Sequence, residues 1–156
     1  SPEMKSTWGP LAYLMGAAST LPDLTHFETV LEWDDGSTET MHALNVIVAN
    51  GRTVGGGKRV APMANPEDGL LDVVTVEVAS VPRLAEVAAR LLAGNYLDSD
   101  LVHFRRTRRL RVAAKPDMSF NVDGDLFTQE PVEFIALPKA INVIVGEAYS
   151  PVVEER

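Results

Sequence analysis

Cysteine is absent from the chain, which excludes disulfides and thiolate metal sites and is compatible with a reducing cytoplasm. No apolar run approaches the roughly 20 residues that a membrane-spanning helix requires. Ser1-Pro2-Glu3-Met4 has neither the basic flank nor the apolar core of a secretory signal. Positive charge is in the minority: 14 Lys and Arg stand against 22 Asp and Glu, a formal net charge of −8. Overall charge therefore does not draw the chain to nucleic acid or to an anionic bilayer. His26, His42 and His103 lie far apart, in no metal-ligand spacing. Neither a Gly-x-Ser-x-Gly elbow nor a His-Glu-x-x-His helix occurs, so no hydrolase motif is present. A soluble cytoplasmic chain, at most peripheral to the inner membrane face, is the expectation.

What is present is enough for one domain: 156 residues, 46% of them hydrophobic. The chain is organised around the stretch from Asn50 to Asp72, which gathers Gly51, Gly55, Gly56, Gly57 and Gly69 with Pro62 and Pro66 between two apolar β-type runs. Glycines permit positive φ and close backbone approach, and prolines remove amide donors, so this is an ordered loop rather than a linker. Gly55-Gly56-Gly57-Lys58 is no phosphate loop, because Arg52 stands where the first glycine belongs and Arg59 where Ser or Thr belongs. A dinucleotide fingerprint fails at Val60, where its last glycine would fall.

Helical spacing of Leu11, Leu14, Met15 and Ala18 predicts an amphipathic helix from Trp8 to Leu21. His26 to Trp33 and Thr38 to Ala49 form a hairpin around Asp34-Asp35-Gly36-Ser37, with the second arm a central two-sided strand. Leu71 to Val78 alternates as a strand. Ser80 then caps a second helix whose stripe is Leu84, Val87, Ala88, Leu91 and Leu92, ending at Gly94-Asn95. Short β runs follow at Val102 to Thr107, Arg109 to Ala113, Met118 to Val122, Val132 to Leu137 and Ile141 to Val145. Many short strands and only two packing helices predict a mainly β fold, a two-layer β-sandwich or a partly closed barrel.

Three polar groups carry the candidate chemistry. Asp68-Gly69-Leu70-Leu71-Asp72 reads as an Asx-type turn entering a strand. Asp123-Gly124-Asp125 reads as a hairpin turn, although two acids flanking a glycine could also orient a hydroxyl and face a metal in phosphoryl transfer. Arg105, Arg106, Arg108, Arg109 and Arg111, five of the 14 basic residues, form either a solvated face or a grip on anionic lipid headgroups. Nucleic acid is not expected there, since no aromatic interleaving accompanies the arginines.

Asn50-Gly51, Gly55-Gly56-Gly57, Ala61-Pro62, Asp68 to Asp72 and Val122-Asp123-Gly124-Asp125, in this order, resemble the C-terminal domain of the diacylglycerol kinase-like lipid kinases, which include the YegS-like and sphingosine kinases. The resemblance covers nearly the whole chain. It implies a single C-terminal lipid-kinase domain over residues 1–156, the lipid-binding half of an enzyme that moves the ATP γ-phosphate to a lipid hydroxyl such as that of diacylglycerol. An N-terminal nucleotide-binding domain with a Gly-Gly-Asp-Gly signature would complete it, and no Gly-Gly-Asp occurs here. The isolated chain should then be inactive.

By the same resemblance, Asp125 would be the catalytic base and Asp123 would face the metal-nucleotide side, the pair serving as the cofactor-binding residues toward ATP. Asn65, Asp68 and Leu70 would hold Mg2+, the aspartate with two main-chain carbonyls, and the first helix would help wall an acyl-chain pocket. One departure stands out: the family usually has glutamate where this chain has Asp125, one methylene shorter. Sphingosine- or NAD-type kinase activity, and a non-catalytic lipid-binding β domain, are the alternatives. The lipid and the oligomeric state are not legible.

Overall fold

The computed structural model describes residues 27–54, 57–116, 119–127 and 131–151. The first predicted helix, Gly55, Gly56 and Met118 lie outside these residues. Ten strands and one α-helix follow in order: β1 Phe27–Trp33, β2 Thr38–Ala49, β3 Thr53–Val54, β4 Lys58–Arg59, β5 Leu71–Glu77, α1 Val81–Ala93, β6 Val102–Thr107, β7 Arg109–Lys115, β8 Phe120–Val122, β9 Asp125–Phe127 and β10 Val132–Ile135.

Six strands make one antiparallel sheet in the order β10-β7-β1-β2-β5-β6, with β3-β4 and β8-β9 as separate two-stranded ribbons. The mainly β expectation holds. The sheet is not a closed barrel, because among the described residues β10 and β6 are edges, each paired on one side only. It is nonetheless strongly coiled. Three strands separate β6 from β7 in the sheet, which at about 4.8 Å per neighbour would put them roughly 19 Å apart if flat. Arg108 alone joins them in the chain, and that link spans no more than about 7 Å. The sheet must therefore curl until the end of β6 meets the start of β7.

Curling gives the two faces different cores. The concave side buries Leu31, Trp33, Val73, Leu110 and Val112, with Phe120 and Phe134 packed against them. On the other side Leu84 and Val87 of α1 pack on Val74, Val76, Val102 and Tyr96. β5 contributes to both cores, and six of its seven residues are buried. The central two-sided role predicted for β2 belongs more fully to β5, since most of β2 is half-buried or exposed.

α1 matches its predicted bounds. Ser80 takes the N-cap position, although its side chain makes no capping bond, and Gly94 (φ 83°) closes the helix in the left-handed region. Leu92, placed on the stripe by sequence, is 61% exposed. A larger difference concerns Ile141 to Val145, predicted as a strand. No sheet edge pairs with this segment, and Ile141, Val143 and Ile144 face solvent. Apolar composition favours a strand only where a partner supplies the ladder.

Candidate functional site

The Gly-rich stretch begins as the short ribbon β3-β4 and continues as a loop folded over the ends of β2 and β5. Ala61 and Ala64 bury against Ala49. The loop carbonyls are held by side chains from three elements: the Tyr96 hydroxyl donates to Val60, Arg106 Nη2 to Met63 at 2.7 Å, and Arg52 Nε to Ala64 at 3.0 Å. Burial, with the nearby Asp72 carboxylate adding to it, pushes the Tyr96 hydroxyl up to about 12. It thus stays a donor at physiological pH. We expect Tyr96→Phe to cost about 1–3 kcal/mol, the penalty of a buried carbonyl left without its partner. Urea unfolding would measure it, and a loss below about 0.5 kcal/mol would mean that the Val60 carbonyl finds water instead.

From this loop the chain enters the Asp68 turn. Asp68 Oδ1 accepts from the Leu70 N–H at 2.8 Å, Asn65 Oδ1 from Glu67 at 3.0 Å, and the Asn65 carbonyl from the Asp68 N–H at 3.3 Å. Gly69 sits at φ +71°, and a Cβ there would come within 2.8 Å of Pro138 Cγ. The Asx turn read from sequence is present. Residues 138–151 run alongside as a strap: Pro138 covers Gly69, and Arg52 Nη2 donates to the carbonyls of Ser150 (3.2 Å) and Pro151. No cluster of three or more His, Cys, Asp or Glu suited to a metal occurs among the described residues. A cation here would rely on main-chain oxygens. The set fits magnesium chemically, with one carboxylate that keeps an oxygen spare and two carbonyls, hard donors that leave room for retained waters.

Asp72, four residues on, is 1% exposed. Its Oδ1 accepts from Arg106 Nε at 3.1 Å, while Oδ2 has no hydrogen-bond partner among the described residues. Burial raises its pKa above the usual carboxylate value, and the Arg106 guanidinium opposes that rise. Arg106 therefore has two tasks, balancing Asp72 and holding the loop at Met63. Nothing local in the sequence signals this pairing across 34 positions.

The second acidic turn lies on the β8-β9 ribbon. Asp123 (φ 51°) and Gly124 (φ 105°) are both left-handed, and the Gly124 N–H donates to Asn121 Oδ1 at 2.9 Å. This is a two-residue hairpin turn of the Asp-Gly kind. Asp123 and Asp125 are exposed at its tip, and Leu126 and Phe127 beside them are 70% and 50% exposed. Among the described residues, no side-chain hydrogen bond or ion pair joins this tip to the Asp68 turn.

The arginine run forms no single cationic patch. Arg105 lies over the Trp33 ring at 4.3 Å and binds Asp35 and Glu39 at 2.7 Å each. Arg106 pairs with Asp72, Arg109 with Glu133, and Arg111 with Glu32 at 2.8 Å. Arg108 uses its main-chain N–H on Asp34, which lowers that carboxyl's pKa. A cleft of about 360 Å³ on the concave side is lined by Trp33, Met41 and Val73 and edged by Glu39, His103 and Arg105. Among the described residues, no helix is long and apolar enough to cross a membrane.

Comparison with known proteins supplies the context. A diacylglycerol kinase of Bacillus subtilis (strain 168) is 27% identical over 143 residues, covering 92% of this chain and 47% of that protein. One of Staphylococcus saprophyticus is 26% identical over 141 residues, covering 90% of this chain and 46% of that protein. The chain thus spans about half the length of the curated relatives it matches. Among solved structures, a candidate diacylglycerol kinase from Bacillus anthracis str. Sterne superposes with a TM-score of 0.62 at 19% identity, over 86% of this chain and 43% of that one, which shows the shared fold. Residues 2–145 match the family described as the YegS C-terminal NAD kinase beta sandwich-like domain, and this chain belongs to that family.

Proposed function

We propose that the chain is the lipid-binding half of a lipid kinase, which transfers the γ-phosphate of ATP to a lipid hydroxyl such as that of diacylglycerol. The observation that carries this reading is the β8-β9 tip, where exposed Asp123 and Asp125 adjoin exposed Leu126 and Phe127. An acid beside an apolar surface is suited to receive a hydroxyl delivered on a hydrophobic molecule. Asp125 accepts the hydroxyl proton as the oxygen attacks, and Asp123 faces the metal-nucleotide side. ATP is held mainly by a second, nucleotide-binding half, consistent with the curated relatives being about twice as long.

Asn65 and Leu70 through their carbonyls, and Asp68 through its carboxylate, are the proposed magnesium ligands. When bound, the ion supplies a positive charge that links these oxygens and attracts phosphate. The reaction is placed in the cytoplasm, at the inner membrane face. Headgroup contact by the arginine run would have to displace the carboxylate partners of Arg105, Arg106, Arg109 and Arg111. A non-catalytic lipid-binding domain is the second reading, favoured by the same exposed apolar pair. Mass spectrometry of lipid extracted from the purified chain separates lipid readings from an NAD-type substrate.

The metal reading is tested by heat. Magnesium should raise the melting temperature of the wild-type chain by mass action on the native state, and Asp68→Ala, lacking the one charged ligand, should lose that rise. If magnesium shifts neither protein, the Asp68 turn is structural only.

A further inference from the structure

A main-chain carbonyl offered to a cation has no rotamer with which to aim itself. Its direction follows from the peptide planes around it. After Asn65 comes Pro66, so the intervening peptide has no N–H by which it could be held. Downstream, among the described residues, the Asn65 carbonyl is held only by the long 3.3 Å bond from the Asp68 N–H, within the turn itself; upstream, Ala64 is the last residue whose carbonyl a side chain grips. That side chain is Arg52, and it differs from the other two clamps. Tyr96 and Arg106 tie the loop to the sheet and helix side, whereas the Arg52 guanidinium joins the loop at Ala64 to the strap at Ser150 and Pro151. Among the described residues Arg52 has no carboxylate at ion-pair distance, so its half-buried charge is satisfied by carbonyl oxygens. A planar fork can reach two such groups at once, which the point charge of a lysine cannot reproduce.

We infer that Arg52 is a positioning residue for the cation turn: by holding the Ala64 carbonyl against the strap it fixes the peptide before Asn65, and with it the direction of the Asn65 carbonyl. The inference rests on the reading of Asn65, Asp68 and Leu70 as metal ligands. It adds a consequence which that reading lacks. Magnesium demands a near-ideal octahedron, while calcium accepts irregular oxygen sets. A mis-aimed carbonyl therefore harms magnesium binding more than calcium binding. General destabilisation would weaken both alike.

The test titrates Mg2+ and Ca2+ separately into the wild-type chain, Arg52→Ala, Arg52→Lys and Asp68→Ala, with binding read by calorimetry well below each metal-free melting temperature. Arg52→Ala should lower magnesium affinity by roughly 10- to 100-fold, as loss of an outer-shell partner does, with a smaller loss for calcium. Arg52→Lys should restore only part of it, and Asp68→Ala should lose both ions. Magnesium affinity unchanged in Arg52→Ala overturns the inference, as does an equal loss of both ions. A wild-type chain that binds neither ion overturns the metal reading itself and the inference with it. If Arg52→Ala does not fold, Arg52→Lys carries the same magnesium-to-calcium comparison.

Discussion

In a protein that joins this chain to a nucleotide-binding half, Asp125→Asn is expected to lower turnover by roughly 10²- to 10⁴-fold, the usual effect of losing a general base. The substitution keeps the size of the side chain and removes its basicity together with its negative charge. Asp125 is the first residue of β9 and stands clear of both cores, so folding and lipid binding should change little. Asp125→Glu lengthens the side chain by one methylene and should retain activity, because the exposed tip has room for it. Steady-state phosphorylation of diacylglycerol in mixed micelles would read both. Full turnover in Asp125→Asn would leave Asp125 as a turn residue and nothing more.

Arg106→Leu should destabilise the chain by about 3–5 kcal/mol, the usual cost of stranding a buried charge. Among the described residues Asp72 has a single ion-pair partner, and its other carboxylate oxygen already lacks a hydrogen bond. The loss should depend on pH with a definite sign. The pKa of Asp72 is raised in the folded chain, so its protonated form is favoured there. Stability linked to it is fully present below the ordinary carboxylate value and falls as pH rises through the raised one. Removing Arg106 removes the main influence holding that value down. The deficit should thus be greatest near neutrality and shrink toward acid. Urea unfolding at two pH values measures it, and Asp72→Asn combined with Arg106→Leu should recover much of the loss. A deficit below about 1 kcal/mol, or one that grows in acid, would show that Arg106 does not balance Asp72.

Local signals in the sequence carried most of the fold. Alternation placed β5, the turn tetrapeptide placed the hairpin of β1 and β2, and helical spacing with Gly94 placed α1. Both acidic turns were legible because an Asx turn and an Asp-Gly hairpin depend on residues two or three apart. What escaped depends on partners distant in sequence. Arg105 meets Glu39 across 66 positions and Arg106 meets Asp72 across 34, so a run that looked like one basic patch is distributed among separate carboxylates. Arg52 was visible only as a mismatch to a phosphate loop. An arginine set among glycines without a neighbouring acid was the available hint, pointing to main-chain oxygens as its partners. Ile141 to Val145 misled because apolar content says what a segment prefers, not whether a free edge is at hand.

The clasp between Arg52 and residues 150 and 151 also sets an order of events during synthesis. Its hydrogen bonds span 98 and 99 positions, so this clasp cannot close until nearly all of the described chain has left the ribosome. Closing so long a loop carries an entropic cost that the earlier hairpins do not bear. The β1-β2 pair can form as soon as it emerges, whereas the turn at Asp68, although made early, waits for Pro138 and the strap to arrive. A nascent chain stalled before residue 138 would therefore hold much of its sheet and an uncovered Asp68 turn.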